Sequence, residues 1–288
     1  MVRIVLHKFG DVEERFVYGI LEIMNDCYNR IDTHTVEIVD LYLFDKSSKM
    51  NAFISEDKRN MGIETSPFEE SFLAVHDAWH GTPRILVAYD RALDLPELVR
   101  TGGLRHEVAH TILHGSLEYY SFPMPTFLLE FERGGIIPLQ IVRDLLYLAS
   151  IAVKDFEVTK LLYENGFLED QVVYNKYFLE PSEEDHEAWE LAKKNEPARV
   201  LVLVSLLKTA CCAAPLLKDE RFGVEMGESI ARSMSFLPAE LSARILRLLE
   251  ATDKFGKNTH ENVDLFMKEI IDELVTKWRT QSTLPREM

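Results

Sequence analysis

Apolar residues recur along this chain with two different periods, and the switch between them divides it. Val2 to Leu6 is a short apolar run that predicts a strand. From Asp11 to Ile31 the apolar positions Phe16, Ile20, Met24 and Cys27 share one face of a 3.6-residue period and predict a helix. Residues 35–44 alternate and open with β-branched side chains, the pattern of a second strand. Residues 47–62 predict a helix with Ser47 or Ser48 as its cap and Gly62 as its stop. Residues 71–81 and 84–90 read as two strands around a Gly81-Thr82-Pro83 turn, and the helix that carries the histidines follows. From Ile137 onward strand signals vanish. Helices are expected over 137–164, 182–195, 198–214, 238–252 and 261–280, with Pro181, Pro197 and Pro238 at or near their starts and a less regular period from Asp170 to Phe178. Segregated strands and helices predict an α+β architecture, strand-rich over 1–165 and all-helical over 166–288.

Composition then narrows the possible functions. The 288 residues are 47% apolar and 28% charged, which suits a packed core under a solvated surface. A net charge of −16 argues against a general nucleic-acid binder, which must meet a phosphate backbone, and against docking on anionic lipid. Three cysteines, Cys27, Cys211 and Cys212, give no disulfide framework, and the adjacent pair reads as small core residues. The longest apolar run, residues 200–217, is interrupted by Lys208 and Pro215, so a buried helix is expected there and not a membrane span. The N-terminal apolar stretch is too short for a signal peptide. The expectation is a soluble, reduced, cytoplasmic protein that binds neither nucleic acid nor membrane.

The strongest chemical signal is GGLRHEVAHTILHGS, residues 102–116. It holds three of the nine histidines, His106, His110 and His114, at every fourth position, with Glu107 directly after the first. Positions four apart on a helix stack on one face with Cβ atoms about 5–6 Å apart. His106 and His110 could therefore reach one zinc ion at about 2.0–2.1 Å. Glu107 is rotated by about 100° from His106 and points beside the metal. There it could take a proton from a metal-bound water whose pKa zinc lowers to about 7. This HExxH spacing is that of a metal-assisted hydrolase of amide bonds. His114 does not fit the same ion, because three ligands in a line do not make a tetrahedron. It is expected either to support the site from behind or line the cleft, or to act as a cation closing the helix near Gly115.

A third ligand must come from elsewhere, and residues 152–162, AVKDFEVTKLL, offer two acids on opposite helix faces. Asp155 shares a stripe with Leu148, Ile151, Ala152, Thr159 and Leu162, where an unpaired carboxylate would be costly. Glu157 shares the other face with Leu146, Val153 and Leu161. Spacing leaves both open. Glu130 and Glu132 are expected on a loop, which would position them less firmly.

The segment HEVAHTILHGS resembles the active-site helix of zincin metallopeptidases. Its HExxHxxxH form is similar to the ImmA/IrrE metallopeptidases, and the preceding AVHDAWHGTPRILVAYD resembles the edge strand, turn and strand of archaeal minigluzincins. The resemblance spans roughly residues 1–165. It implies a zincin-like domain, a small mixed sheet with an active-site helix, and a gluzincin-like third ligand in an ExxxD or ExxAN pattern. Laid over DFEVT, that pattern implies Asp155 as the ligand. Aspartate stands where glutamate is usual, and Thr159 where an acid or amide normally braces a ligand histidine. The resemblance also implies an extended peptide paired along FLAVHDAW. An oxyanion stabiliser is required as well, for which Tyr119, Tyr120 and His80 are candidates.

Two functions follow. One is a cytoplasmic zinc metallopeptidase acting on a peptide or protein, with His106, His110 and Asp155 as metal ligands and Glu107 as the catalytic base. The other is a non-catalytic, metal-stabilised interaction or regulatory module. A helical regulator with an accidental motif would carry no metal. The helical half carries no motif that names a function, and His186 in its acidic helix start is expected to be exposed.

Overall fold

A computed structural model describes residues 2–63, 73–133 and 138–276. The chain is α+β. It forms two compact units, each drawn from two segments: Met1–Ser121 with Glu157–Tyr174, and Phe122–Phe156 with Asn175–Met288.

The first unit holds the sheet. Strands β1 (Arg3–Phe9), β2 (Ile38–Phe44), β3 (Ala74–Asp77) and β4 (Arg84–Ala88) lie in the order β1-β2-β4-β3. The first three in that order run parallel, in register from Arg3↔Ile38 and from Asp40↔Arg84. β3 is antiparallel to β4 and stands at the edge, with His76 opposite Ile85. The Gly81 turn between them has φ +82°, a left-handed backbone that glycine takes without steric cost. Helix α1 (Glu14–Arg30) buries Ile20, Met24 and Cys27 in a core shared with Leu41 and Ile85 of the sheet and Val108 of the histidine helix. Burying each large apolar side chain in that core contributes about 1.5–3 kcal/mol.

Helix α2 (Ser47–Met61) ends at Gly62 as predicted, with φ +69°. Its cap differs from expectation. Lys46 holds the capping position, and the Ser47 backbone N–H donates to Asp90 Oδ1 at 2.8 Å. Asp90 belongs to a short helix, α3 (Tyr89–Asp94), that follows β4 directly. The strand expected to reach Asp90 therefore stops at Ala88. The expected strand over 71–81 is shorter too, and its first two residues lie outside the described ones.

The histidine helix, α4, runs Glu97–Leu113. It starts well before Gly102 and closes on His114, whose N–H donates to His110 O at 2.7 Å. Gly115 is needed next for space, since a Cβ there would stand 2.3 Å from Thr111 O.

The second unit is helical among its described residues. Helix α5 (Thr126–Arg133) overturns the loop expected there, so Glu130 and Glu132 stand on a helix. Helix α6 (Leu139–Glu164) and helix α7 (Glu169–Leu179) each pass from one unit into the other, and residue 137 lies outside the described ones. Helix α8 (Glu183–Ala192) opens on a full capping box at Ser182 and Asp185. Helix α9 (Glu196–Ala213) packs against α8, against α10 (Gly223–Ser233) and against α11 (Ala239–Glu250). Helix α12 (Thr259–Ile270) continues as a wider turn to Thr276, and residues 277–280 of the expected helix lie outside the described ones. The stretch Glu196–Lys218 is long and apolar enough to cross a membrane, with mean hydropathy 2.2, and 67% of its apolar window is buried within the protein. Cys211 and Cys212 are buried there as free thiols.

Candidate functional site

Helix α4 is fixed from two sides before its histidines are reached. Gly102 sits against α7, where a Cβ would stand 2.7 Å from both Asp170 O and Tyr174 Cβ. Only a residue without a side chain allows that approach. Gln171, fully buried on the same helix, donates from Nε2 to Gly102 O at 3.0 Å. Three residues further on, the Arg105 guanidinium pairs with Asp170 of α7 and, at 2.9 Å, with Asp26 of α1. Burial raises the Asp170 carboxyl above the usual range, and Arg105 only partly opposes that. Cys27 lies beside this network, and burial pushes its thiol up to about 12. On the next turns Tyr28 donates to Thr111 Oγ1 at 2.7 Å, and that hydroxyl donates to Val108 O at 2.7 Å. Helix α4 is thus held in both rotation and height.

The three imidazoles form a line along the buried face. His106, His110 and His114 are 3%, 2% and 0% exposed, so their polar atoms must find partners inside the protein. His106 Nε2 lies 3.0 Å from His110 Nε2. On the other side of that ring, His110 Nδ1 lies 3.1 Å from His114 Nδ1. His114 Nε2 lies 3.0 Å from Glu157 Oε2. Tyr119 stands edge-on to the His114 ring at 5.1 Å, and Tyr174 lies 5.4 Å from the His106 ring.

Glu107 is buried beside them at 8% exposure. Its Oε2 lies 2.6 Å from His76 Nδ1 on the edge strand. The His76 ring also stacks flat on His110, with centroids 3.8 Å apart. Sequence reasoning missed His76. The available signal was its place on the first strand of the hairpin that precedes the motif. Tyr120 stands 6.1 Å from the His76 ring and 5.0 Å from Trp79. Burial raises its phenol well above the ordinary range, and the Asp77 and Glu107 carboxylates add to that. Among the oxyanion candidates, Tyr120 is therefore beside Glu107 and Tyr119 beside His114. His80 is instead half exposed and bonded to Asp57 at 3.0 and 3.1 Å. Asp57 in turn pairs with Arg84, which holds Asp77 of β3 at 2.6 Å. His80 thus belongs to a network that ties α2 to the β3–β4 hairpin.

The two acids of α6 separate cleanly. Glu157 is engaged with His114, and so braces an imidazole. Asp155 is half-buried two residues earlier, on the part of α6 that belongs to the second unit. Thr159 is fully buried. Glu130 is exposed, which suits a solvated residue better than a ligand, and the Glu132 side chain lies outside the described ones. His186 is exposed on α8.

No protein-family model, curated protein or solved structure matches this chain.

Proposed function

We propose that this chain is a cytoplasmic zinc metallopeptidase whose zincin-like domain is the unit that holds the sheet and α4, followed by a helical domain. Zinc is held by His106, His110 and Asp155, and Glu107 is the catalytic base. The observation that carries this reading is the 3.0 Å approach of His106 Nε2 to His110 Nε2. Two nitrogens at tetrahedral positions, each about 2.0–2.1 Å from one zinc ion, stand about 3.3–3.4 Å apart. The pair therefore needs to open by only a few tenths of an ångström. Asp155 completes the set because Glu157 is already taken by His114.

Bound zinc supplies a Lewis acid that polarises a carbonyl and acidifies water. Glu107 accepts the proton of the attacking water on a carboxylate oxygen and hands it to the departing amine nitrogen. His76 keeps that carboxylate from turning away, through its Nδ1 contact at 2.6 Å. The Tyr120 phenol stays protonated near neutral pH and can donate to the oxyanion. An extended peptide adds to β3, which pairs only with β4 among the described residues. One observation favours a second reading, a metal-stabilised module without turnover: the Glu107 carboxylate is already in contact with a protein group, His76.

Zinc content and cleavage of a broad peptide library, measured together, test both readings. The expected result is one zinc per chain, cleavage by the wild type, and at least a 100-fold loss in Glu107→Gln with zinc retained. His110→Ala should lose the zinc. A full zinc complement without any cleavage would establish the module instead. Absence of zinc from protein prepared in zinc-replete medium would overturn both.

A further inference from the structure

Why the helix carries a third histidine is answered by its two contacts. From the chain Glu157–His114–His110 we infer that Glu157 and His114 are positioning residues that dictate which nitrogen of His110 carries the hydrogen. The inference rests on the proposed role of His110 as a metal ligand and goes beyond it in direction and residues.

A carboxylate accepts hydrogen bonds and does not donate them. The 3.0 Å contact to Glu157 Oε2 therefore puts a hydrogen on His114 Nε2. A neutral His114 then presents a lone pair at Nδ1. The facing atom, 3.1 Å away, is His110 Nδ1, and it must supply the hydrogen. With its hydrogen on Nδ1, His110 has a bare Nε2, and that atom faces His106. Every hydrogen in the chain points toward Glu157, and the lone pair emerges at the other end, where the proposed metal sits. His114 is fully buried, so water does not offer an alternative partner that would scramble this order. The negative charge at Glu157 also raises the donor strength of His110 through the intervening ring. This accounts for imidazoles at every fourth position. His106 and His110 bind, while His114 carries the influence of the Glu157 carboxylate to His110.

The direct test is the tautomer of His110, read by long-range ¹H–¹⁵N correlation in histidine-labelled protein stripped of metal. The expected state has hydrogen on Nδ1 and a bare Nε2, with His114 bearing its hydrogen on Nε2. Hydrogen on Nε2 of His110 with Nδ1 bare would overturn the inference. The second arm is zinc affinity by chelator competition. His114→Leu fills the buried site without a polar atom and should weaken zinc binding by about 10–100-fold. His114→Asn, whose carboxamide oxygen can accept from His110 Nδ1, should recover most of that loss. Glu157→Gln can present either an acceptor or a donor to His114 and should also weaken binding. Leu and Asn variants of equal, wild-type affinity would contradict the inference. Should the wild type bind no zinc while showing the expected tautomer, the relay stands and the metallopeptidase reading falls. A reversed tautomer in a zinc-binding wild type does the opposite.

Discussion

His110 is touched on both ring edges and on one face. Its Nε2 meets His106, its Nδ1 meets His114, and His76 covers its plane at 3.8 Å. The HExxH residues were legible in the sequence because helical spacing alone brings i and i+4 together. His76 and the bracing role of Glu157 were not legible, because both depend on contacts 31 and 43 residues apart in the chain. His114 lay between these cases: spacing put it on the right face but did not name its partner. If His76 serves to aim Glu107, then His76→Leu should lower peptide cleavage by about 10–100-fold with zinc content unchanged. Steady-state kinetics beside metal analysis would check this, and a parallel loss of zinc would assign His76 to metal retention instead.

The element that matters most is α4, whose histidine-bearing turns were legible while its start at Glu97 was not. A Gly-Gly pair inside a helix weakens it by roughly 1 kcal/mol per residue against alanine, yet the helix runs through it. The pair is tolerated because Gly102 is a docking point for α7. The same contact explains why residues 170–178 form a helix although their own apolar period is irregular: Asp170, Gln171 and Tyr174 are committed to α4. Helix α10 was likewise missed, since two glycines and two serines hide the buried pair Met226 and Ile230. Gly102→Val should overpack the α4–α7 contact and cost about 1–3 kcal/mol, seen as a lower urea midpoint at unchanged slope. Arg105→Ala should cost about 3–5 kcal/mol, because it leaves the Asp170 carboxylate buried without its cation. Wild-type stability in either variant would mean that α4 is not held in this way.

On the scale of the whole molecule, the last strand signal, residues 84–90, marks where the sheet ends, and that much was readable. The division into units was not, because α6 and α7 each contribute to both, and a partition of that kind leaves no trace in local periodicity. Burial of titratable groups also acts at this scale. The folded-state pKa of Cys27 is about 12 against an ordinary 9.0, and burial raises Tyr28 and Cys211 in the same direction. A group raised on folding favours the folded state fully below its unfolded pKa and gives up that stability as pH climbs toward the folded value. Stability should therefore fall from about pH 9 toward pH 12, and Cys27→Ala should show a shallower alkaline limb in urea melts across that window. An identical limb in the variant would exclude Cys27 as a contributor.

The proposed activity requires two imidazoles and a carboxylate to converge on one zinc ion. Zinc-edge X-ray absorption on the loaded protein measures that shell directly. The prediction is two imidazole nitrogens and one or more oxygens at about 2.0–2.2 Å, and loss of the bound zinc in His110→Ala. A shell without imidazole, or one unchanged by that substitution, would contradict it.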